Sequence, residues 1–193
     1  MERELANLTN MISEKLEIFT DTIVELTKNL ISIPTINPPG KNYERITSLL
    51  TSVLRDLGLD VYEYHVPRNK FPRYGLDDGS EDGINIVAIK SFGVGGKKVH
   101  IHTHYDVVPP GSGWSKDPFK PIIKNKKLYG RGASDMKSTI AASIYAIKIV
   151  EDLSKELGFN LRSEVIISII PDEETGGHAG ADYLSGKRNH SES

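Results

Sequence analysis

Three polar clusters in this sequence carry residue types that bind cations and move protons: HTHYDVVPPG, with His104 and Asp106; YGRGASDMK, with Asp135; and PDEETGG, with Asp172, Glu173 and Glu174. His104 and Asp106 are two residues apart, so in an extended segment both side chains point the same way. A carboxylate in that position can accept one imidazole N–H while the other ring nitrogen binds a metal, which fixes the ring and raises its basicity. A lone His-x-Asp is more often a hydrogen-bonded histidine closing a strand, and that reading stands beside the first. His100 and His102 alternate with His104 and offer a second route to chelation; the alternation equally fits a strand with one polar face.

Asp135 follows a glycine-rich turn where a helix begins. It reads either as an N-cap or as a carboxylate shared between two cations. Gly130 and Gly132 let backbone approach closely, and Arg131 reads as a structural ion-pair partner. The run Asp172-Glu173-Glu174 leaves an apolar strand, and adjacent carboxylates repel unless cations or donors neutralise them. Neighbouring carboxylates can also divide labour, one binding metal and the other holding an attacking water. A solvated acidic loop ahead of Gly176 and Gly177 is the alternative.

The elements that must position these groups follow from periodicity. Apolar residues at Leu5, Leu8, Ile12, Leu16, Phe19, Ile23, Leu26 and Leu30 step by three and four, so residues 4 to about 32 read as one amphipathic helix with a candidate break near Asp21. Pro34, Pro38, Pro39 and Gly40 form a rigid turn, and Tyr43 to Leu57 is a second helix stopped by Gly58. Val61 to Val66 is a short strand, and residues 67 to 83 a surface loop. Strands are expected at Ile84 to Ile89 and Val99 to Thr103, then a loop from Pro109 to Pro121 and a hairpin over Ile122 to Tyr129. Met136 to Leu157 reads as a helix with Ile140, Ile144, Ile147 and Val150 inward, and Val165 to Ile170 as a buried strand. Strands alternating with helices predict an α/β fold with a mixed, mainly parallel sheet covered on both sides by helices. In such sheets reactive groups gather in loops at the carboxyl ends of strands, which is where all three clusters lie.

Composition narrows the chemistry. With 193 residues and 38% hydrophobic content, there is material for one domain with a real core. A net charge of -2, with both signs mixed along the chain, gives no footprint for nucleic acid or an anionic membrane. No stretch approaches the roughly 20 apolar residues of a membrane span, and a soluble cytoplasmic protein is expected. With 0 cysteines, a metal site must be built from imidazole and carboxylate.

Taken together and in order, IPTINPPG, HTHYDVVPPG with WSKDPF, LYGRGASDMKS and PDEETGG resemble the zinc-dependent family of acetylornithine deacetylase, succinyl-diaminopimelate desuccinylase, aminoacylase and glutamate-type carboxypeptidases, from about residue 20 to residue 184. The resemblance implies a zinc-exopeptidase-like catalytic domain, incomplete at its C-terminus. It implies His104 and Glu174 as ligands of two different zinc ions, for which cobalt is a substitute, with Asp135 bridging them. Asp106 would orient His104, Glu173 would be the general base, and the Asp135-Met136 peptide would be cis. Substrates would be N-acyl amino acids or the C-terminal residues of peptides. The family's members are roughly twice as long, are homodimers through a lid domain, and take further ligands from their C-terminal half. The last residues, from about Ser185, do not continue the pattern and read as the end of a truncated or frameshifted reading frame, which leaves a non-catalytic remnant as the alternative.

Overall fold

The structure, a computed structural model, describes residues 2–67 and 81–188. Helix α1 spans Glu2–Ile31 and α2 spans Tyr43–Asp56. Strands β1 (Asp60–Val66), β2 (Gly83–Ser91) and β3 (Lys98–His104) follow, then a hairpin of β4 (Ile122–Lys124) and β5 (Lys127–Tyr129). Helix α3 (Ser138–Glu156), β6 (Glu164–Ile170) and α4 (Ala181–Arg188) follow. The loop expected over residues 67 to 83 lies largely outside the described residues.

The sheet runs β1-β2-β6-β3 and is mixed, as expected. Its parallel share is smaller than predicted, because β1 pairs antiparallel with β2, β2 antiparallel with β6, and only β3 with β6 is parallel. That pair is joined through α3, the kind of crossover a parallel connection requires. Because β3 and β6 run the same way with His104 opposite Ile170, the loops bearing His104 and Glu173 leave the sheet at the same end. The returning helix α3 starts at that end too, and so brings Asp135 there.

One face of the sheet carries the core. Ile86 and Ala88 of β2 and Ile167 and Ile169 of β6 lie opposite one another in register, and they pack with Leu26 and Leu30 of α1, Ile46, Leu50 and Leu54 of α2, and Ile140, Ile144 and Ile147 of α3. The inward face of α3 differs at one position: Val150 is exposed, and Ile149 and Leu153 are buried instead. On the opposite face the segment before α4 covers part of the sheet, where Asn85 Nδ2 donates to the Ala179 carbonyl at 2.8 Å.

Helix α1 has no break at Asp21. Its apolar stripe, however, is buried only toward its C-terminal end. Leu5 is 65% exposed and Ile12 38%, in the part of the 30-residue α1 that outreaches the antiparallel, 19-residue α3. Lys15 meets Glu156 in the last turn of α3 at 2.8 Å, so α3 ends level with that point of α1. The β4–β5 hairpin turns through Asn125 and Lys126, both with positive φ of 52° and 60°, the conformation of a two-residue turn whose twist suits its strands.

Candidate metal centre

His104 ends β3 with its side chain 5% exposed. Its Nδ1 faces both the backbone carbonyl of Asp106 at 3.1 Å and the Asp106 carboxylate at 3.2 Å. With those acceptors Nδ1 carries the proton, and Nε2 is left to face the site. Nε2 lies 3.1 Å from Asp135 Oδ1 and 3.7 Å from Glu173 Oε2. His104, Asp135 and Glu174 each present one ligand atom, all within 4.8 Å of one another.

Asp135 sits inside a tight turn, Ala133–Lys137, with φ -125° and ψ 101°, and its peptide bond to Met136 is cis. The N-cap residue of α3 is Lys137, and no side chain caps that helix end, so Asp135 is not engaged as a cap. Instead its side chain is 74% exposed and bonded to His104. The turn can form because Gly132 has φ +81° and because a Cβ there would come within 2.8 Å of Val107 Cγ1, while one at Gly130 would come within 2.7 Å of Ile31 Cγ2. Arg131 does not take the ion-pair role expected for it; its guanidinium donates to the carbonyls of Pro109 and Pro110 and lies 5.7 Å over the Trp114 ring.

The consecutive acids of PDEETGG separate. Asp172 turns inward, fully buried, and its Oδ2 accepts from Ala179 N at 2.9 Å. Glu173 and Glu174, in the short 3-10 turn Glu173–Thr175, stay beside His104. Burial pushes the Asp172 and Glu174 carboxyls above the usual carboxylate range, with the Asp106 charge adding to it in both. His104 responds in the opposite sense: burial disfavours its charged ring, but the carboxylates of Asp106, Glu173 and Asp135 outweigh that and raise it to about 9. Carboxylates gathered this closely call for a positive charge among them. A divalent cation at this place would supply it, through oxygen and nitrogen donors of the kind zinc accepts.

His102 and His100 do not join this cluster as ligands. His102 Nδ1 lies 2.7 Å and His100 Nε2 2.8 Å from the hydroxyl of Ser168, on the neighbouring strand. Burial and the charge of His104 both lower the His102 pKa.

Two side chains in the surroundings were not singled out from the sequence. Lys137 is fully buried, and its ammonium donates to the carbonyls of Leu30 at 2.8 Å and Ile33 at 2.7 Å, closing the C-terminal end of α1. Burial pushes its pKa down to about 7. Asn37, 5% exposed, places its amide between Asp106 and Thr175. The only sequence signal for either was membership of a motif, since lysine and asparagine are by habit surface residues.

Residues 100–192 match the model of peptidase family M20/M25/M40. Among curated relatives, N-formyl-4-amino-5-aminomethyl-2-methylpyrimidine deformylase of Bacillus subtilis (strain 168) is 32% identical over 167 residues, which is 86% of this chain and 36% of the relative. Succinyl-diaminopimelate desuccinylase of Helicobacter pylori (strain P12) is 32% identical over 178 residues, covering 83% of this chain and 39% of the relative. The chain thus spans a little over a third of the length of these proteins. Among solved structures, human carnosine dipeptidase 1 superimposes with a TM-score of 0.72 at 23% identity, over 92% of this chain and 37% of that one. The M20 family metallo-carboxypeptidase Sso-CP2 from Sulfolobus solfataricus gives 0.66 at 24% identity, over 87% and 35%. At these identities the structural likeness is one of fold.

Proposed function

Because this chain carries the N-terminal part of a peptidase family M20/M25/M40 domain, we propose that it supplies metal ligands and a general base to a hydrolase that cleaves the amide bond of N-acyl amino acids or of C-terminal peptide residues. The observation that carries this reading is the convergence of His104, Asp135 and Glu174 within 4.8 Å beside the half-exposed carboxylate of Glu173. The relatives' names include a deformylase and a desuccinylase, both of which remove an acyl group from nitrogen.

In this reading His104 Nε2, Asp135 and Glu174 hold the metal, and Asp106 fixes the His104 ring from behind. A divalent metal bound there would polarise the amide carbonyl and make a water easier to deprotonate. Glu173, 55% exposed and so open to the space above the site, receives the proton of the attacking water and passes it to the leaving nitrogen. The reading extends to zinc as the metal, two ions in a complete site, a homodimer for the longer protein and a cytoplasmic location. No described helix is long and apolar enough to cross a membrane, and zinc suits a site without thiolates as long as imidazole and carboxylate are present.

The ligand count supports a second reading for these 193 residues by themselves. Zinc in proteins ordinarily has at least three protein ligands, and the described residues gather one group of three. That is enough for one ion but not for two, so the chain alone would hold metal without turnover. The test is hydrolysis of N-acetyl and N-succinyl amino acids and of dipeptides with zinc or cobalt, comparing the 193-residue chain, a version extended to the length of the relatives, and Glu173→Ala in each. Turnover in the extended protein that Glu173→Ala removes supports the hydrolase reading. Turnover unaffected by Glu173→Ala contradicts the role given to that carboxylate, and turnover by the chain alone contradicts the ligand count.

A further inference from the structure

The segment Pro34 to Pro38 is far in sequence from the metal-holding groups but lies against them in the fold. Val107 N donates to the Thr35 carbonyl and Asn37 N to the Val107 carbonyl, both at 2.9 Å, forming a short parallel bridge beside the chain that leaves β3. This bridge sets the buried Asn37 side chain between the two loops. Its Nδ2 donates to Asp106 Oδ2 at 3.0 Å and to Thr175 Oγ1 at 2.9 Å, with the Pro171 carbonyl at 3.5 Å. The orientation of the amide follows from chemistry, since a carboxylate must meet the NH2 and not the carbonyl oxygen.

The Asp106 carboxylate is correspondingly full. Oδ1 faces His104 Nδ1 at 3.2 Å and accepts from Glu173 N at 3.3 Å, while Oδ2 accepts from Asn37 Nδ2 and from Glu174 N at 3.2 Å. Its tie to the Glu173–Thr175 turn is therefore two rather long backbone bonds. The Asn37 amide adds the shorter cross-brace, one hydrogen on the loop of His104 and the other on the turn of Glu173 and Glu174.

We propose that Asn37 is a positioning residue: it holds the turn bearing Glu173 and Glu174 in register with His104, and thereby sets the spacing of the metal-holding groups. The proposal rests on the reading of His104, Asp135 and Glu174 as ligands, but the brace itself is testable without metal. Asn37 touches none of the three ligands' side chains through these bonds; it acts through Asp106 and Thr175.

The experiment is amide hydrogen exchange on the metal-free protein, followed by cobalt titration, for the native chain, Asn37→Ala, Thr175→Val and His104→Ala. In Asn37→Ala, exchange of the Glu173 and Glu174 amides should quicken about tenfold, the effect of losing one hydrogen bond in a locally opening segment. The amides of Ile167 and Ile169, inside the sheet, should be unchanged. Thr175→Val, which keeps the shape of the side chain and removes one end of the brace, should show a smaller rise at the same two amides. It also keeps the test available if Asn37→Ala does not fold. Cobalt affinity should fall about tenfold in Asn37→Ala, with a changed visible absorption spectrum, under conditions where the variant is fully folded. Unchanged exchange at Glu173 and Glu174, or a rise shared equally with Ile167 and Ile169, overturns the brace. Cobalt binding that ignores His104→Ala overturns the ligand reading instead, and the exchange data then still decide on the brace.

Discussion

Replacing Asp106 with asparagine tests the site's wiring with almost no change of shape. The buried carboxylate of Asp106 has two oxygens and faces four donors, two at each oxygen: His104 Nδ1 and Glu173 N at one, Asn37 Nδ2 and Glu174 N at the other. An asparagine offers one accepting oxygen and one NH2 group. Whichever way its amide turns, two donors face an NH2 and lose their bond to the carboxylate. If the amide oxygen keeps Asn37 and Glu174, Glu173 N loses this acceptor and His104 Nδ1 keeps the Asp106 backbone carbonyl; the reverse orientation takes the acceptor from Glu174 N and leaves Asn37 Nδ2 with Thr175 and Pro171. Each orientation thus removes two hydrogen bonds to a charged acceptor, each worth about 1.5–3 kcal/mol. The side-chain donor keeps a second acceptor in both, so the lower end of the sum is expected, about 3 kcal/mol. For a domain of this size that is a fall in Tm of roughly 6–12 °C. Thermal and urea unfolding followed by circular dichroism measure it. A loss below about 1 kcal/mol would refute the reasoning, because it would mean that the four donors do not depend on this carboxylate.

Lys137→Met should destabilise the chain by about 2–3 kcal/mol, since it removes two buried hydrogen bonds from a charged donor and leaves the Leu30 and Ile33 carbonyls with one backbone donor each, Ile33 N and Thr35 N. An unchanged urea midpoint would show that water replaces the ammonium there. Glu151 receives Lys90 at 2.9 Å and Lys155 at 2.8 Å; burial pushes its carboxyl up, but the two lysines outweigh that and hold it below the ordinary value. A carboxyl with a lowered folded pKa stabilises above its unfolded pKa, about 4.3, and that contribution fades as pH falls through the folded value. Glu151→Gln should therefore lower Tm at neutral pH, and the gap between variant and native protein should close in acid; a gap that persists at low pH contradicts the ion-pair account.

The sequence made the chemistry more legible than the scaffolding. His104 stood out through its spacing from Asp106, Asp135 through its glycine-rich turn at a helix start, and the acids of PDEETGG because charges directly after an apolar strand need a reason; the parallel pairing of β3 with β6 brings the first and last of these to one end of the sheet. Long helices and buried strands were legible for a similar reason, namely sustained periodicity. What stayed hidden depends on partners distant in sequence. Asn37 meets a carboxylate 69 residues away, and nothing local distinguishes it from a turn asparagine. Lys137 reads as a solvated lysine until α1 and α3 are placed side by side. Of three adjacent acids, Asp172 turns inward because the strand alternation continues through Pro171, whereas charge alone treats the three alike. The exposed stripe on α1 reflects a mismatch in helix lengths, and periodicity reports which face is apolar without saying whether anything lies beside it.

The most direct test of the central claim, that His104, Asp135 and Glu174 form one metal site, is a calorimetric zinc titration of metal-stripped protein and of His104→Ala, Asp135→Ala and Glu174→Ala, each checked for native helix content. The account predicts fewer than two equivalents of zinc bound by the native chain, and an affinity at least about tenfold weaker in every variant, as expected for losing one of three ligands. Native affinity in any one variant would remove that residue from the site, and two tightly held equivalents would show that ligands lie elsewhere in the chain.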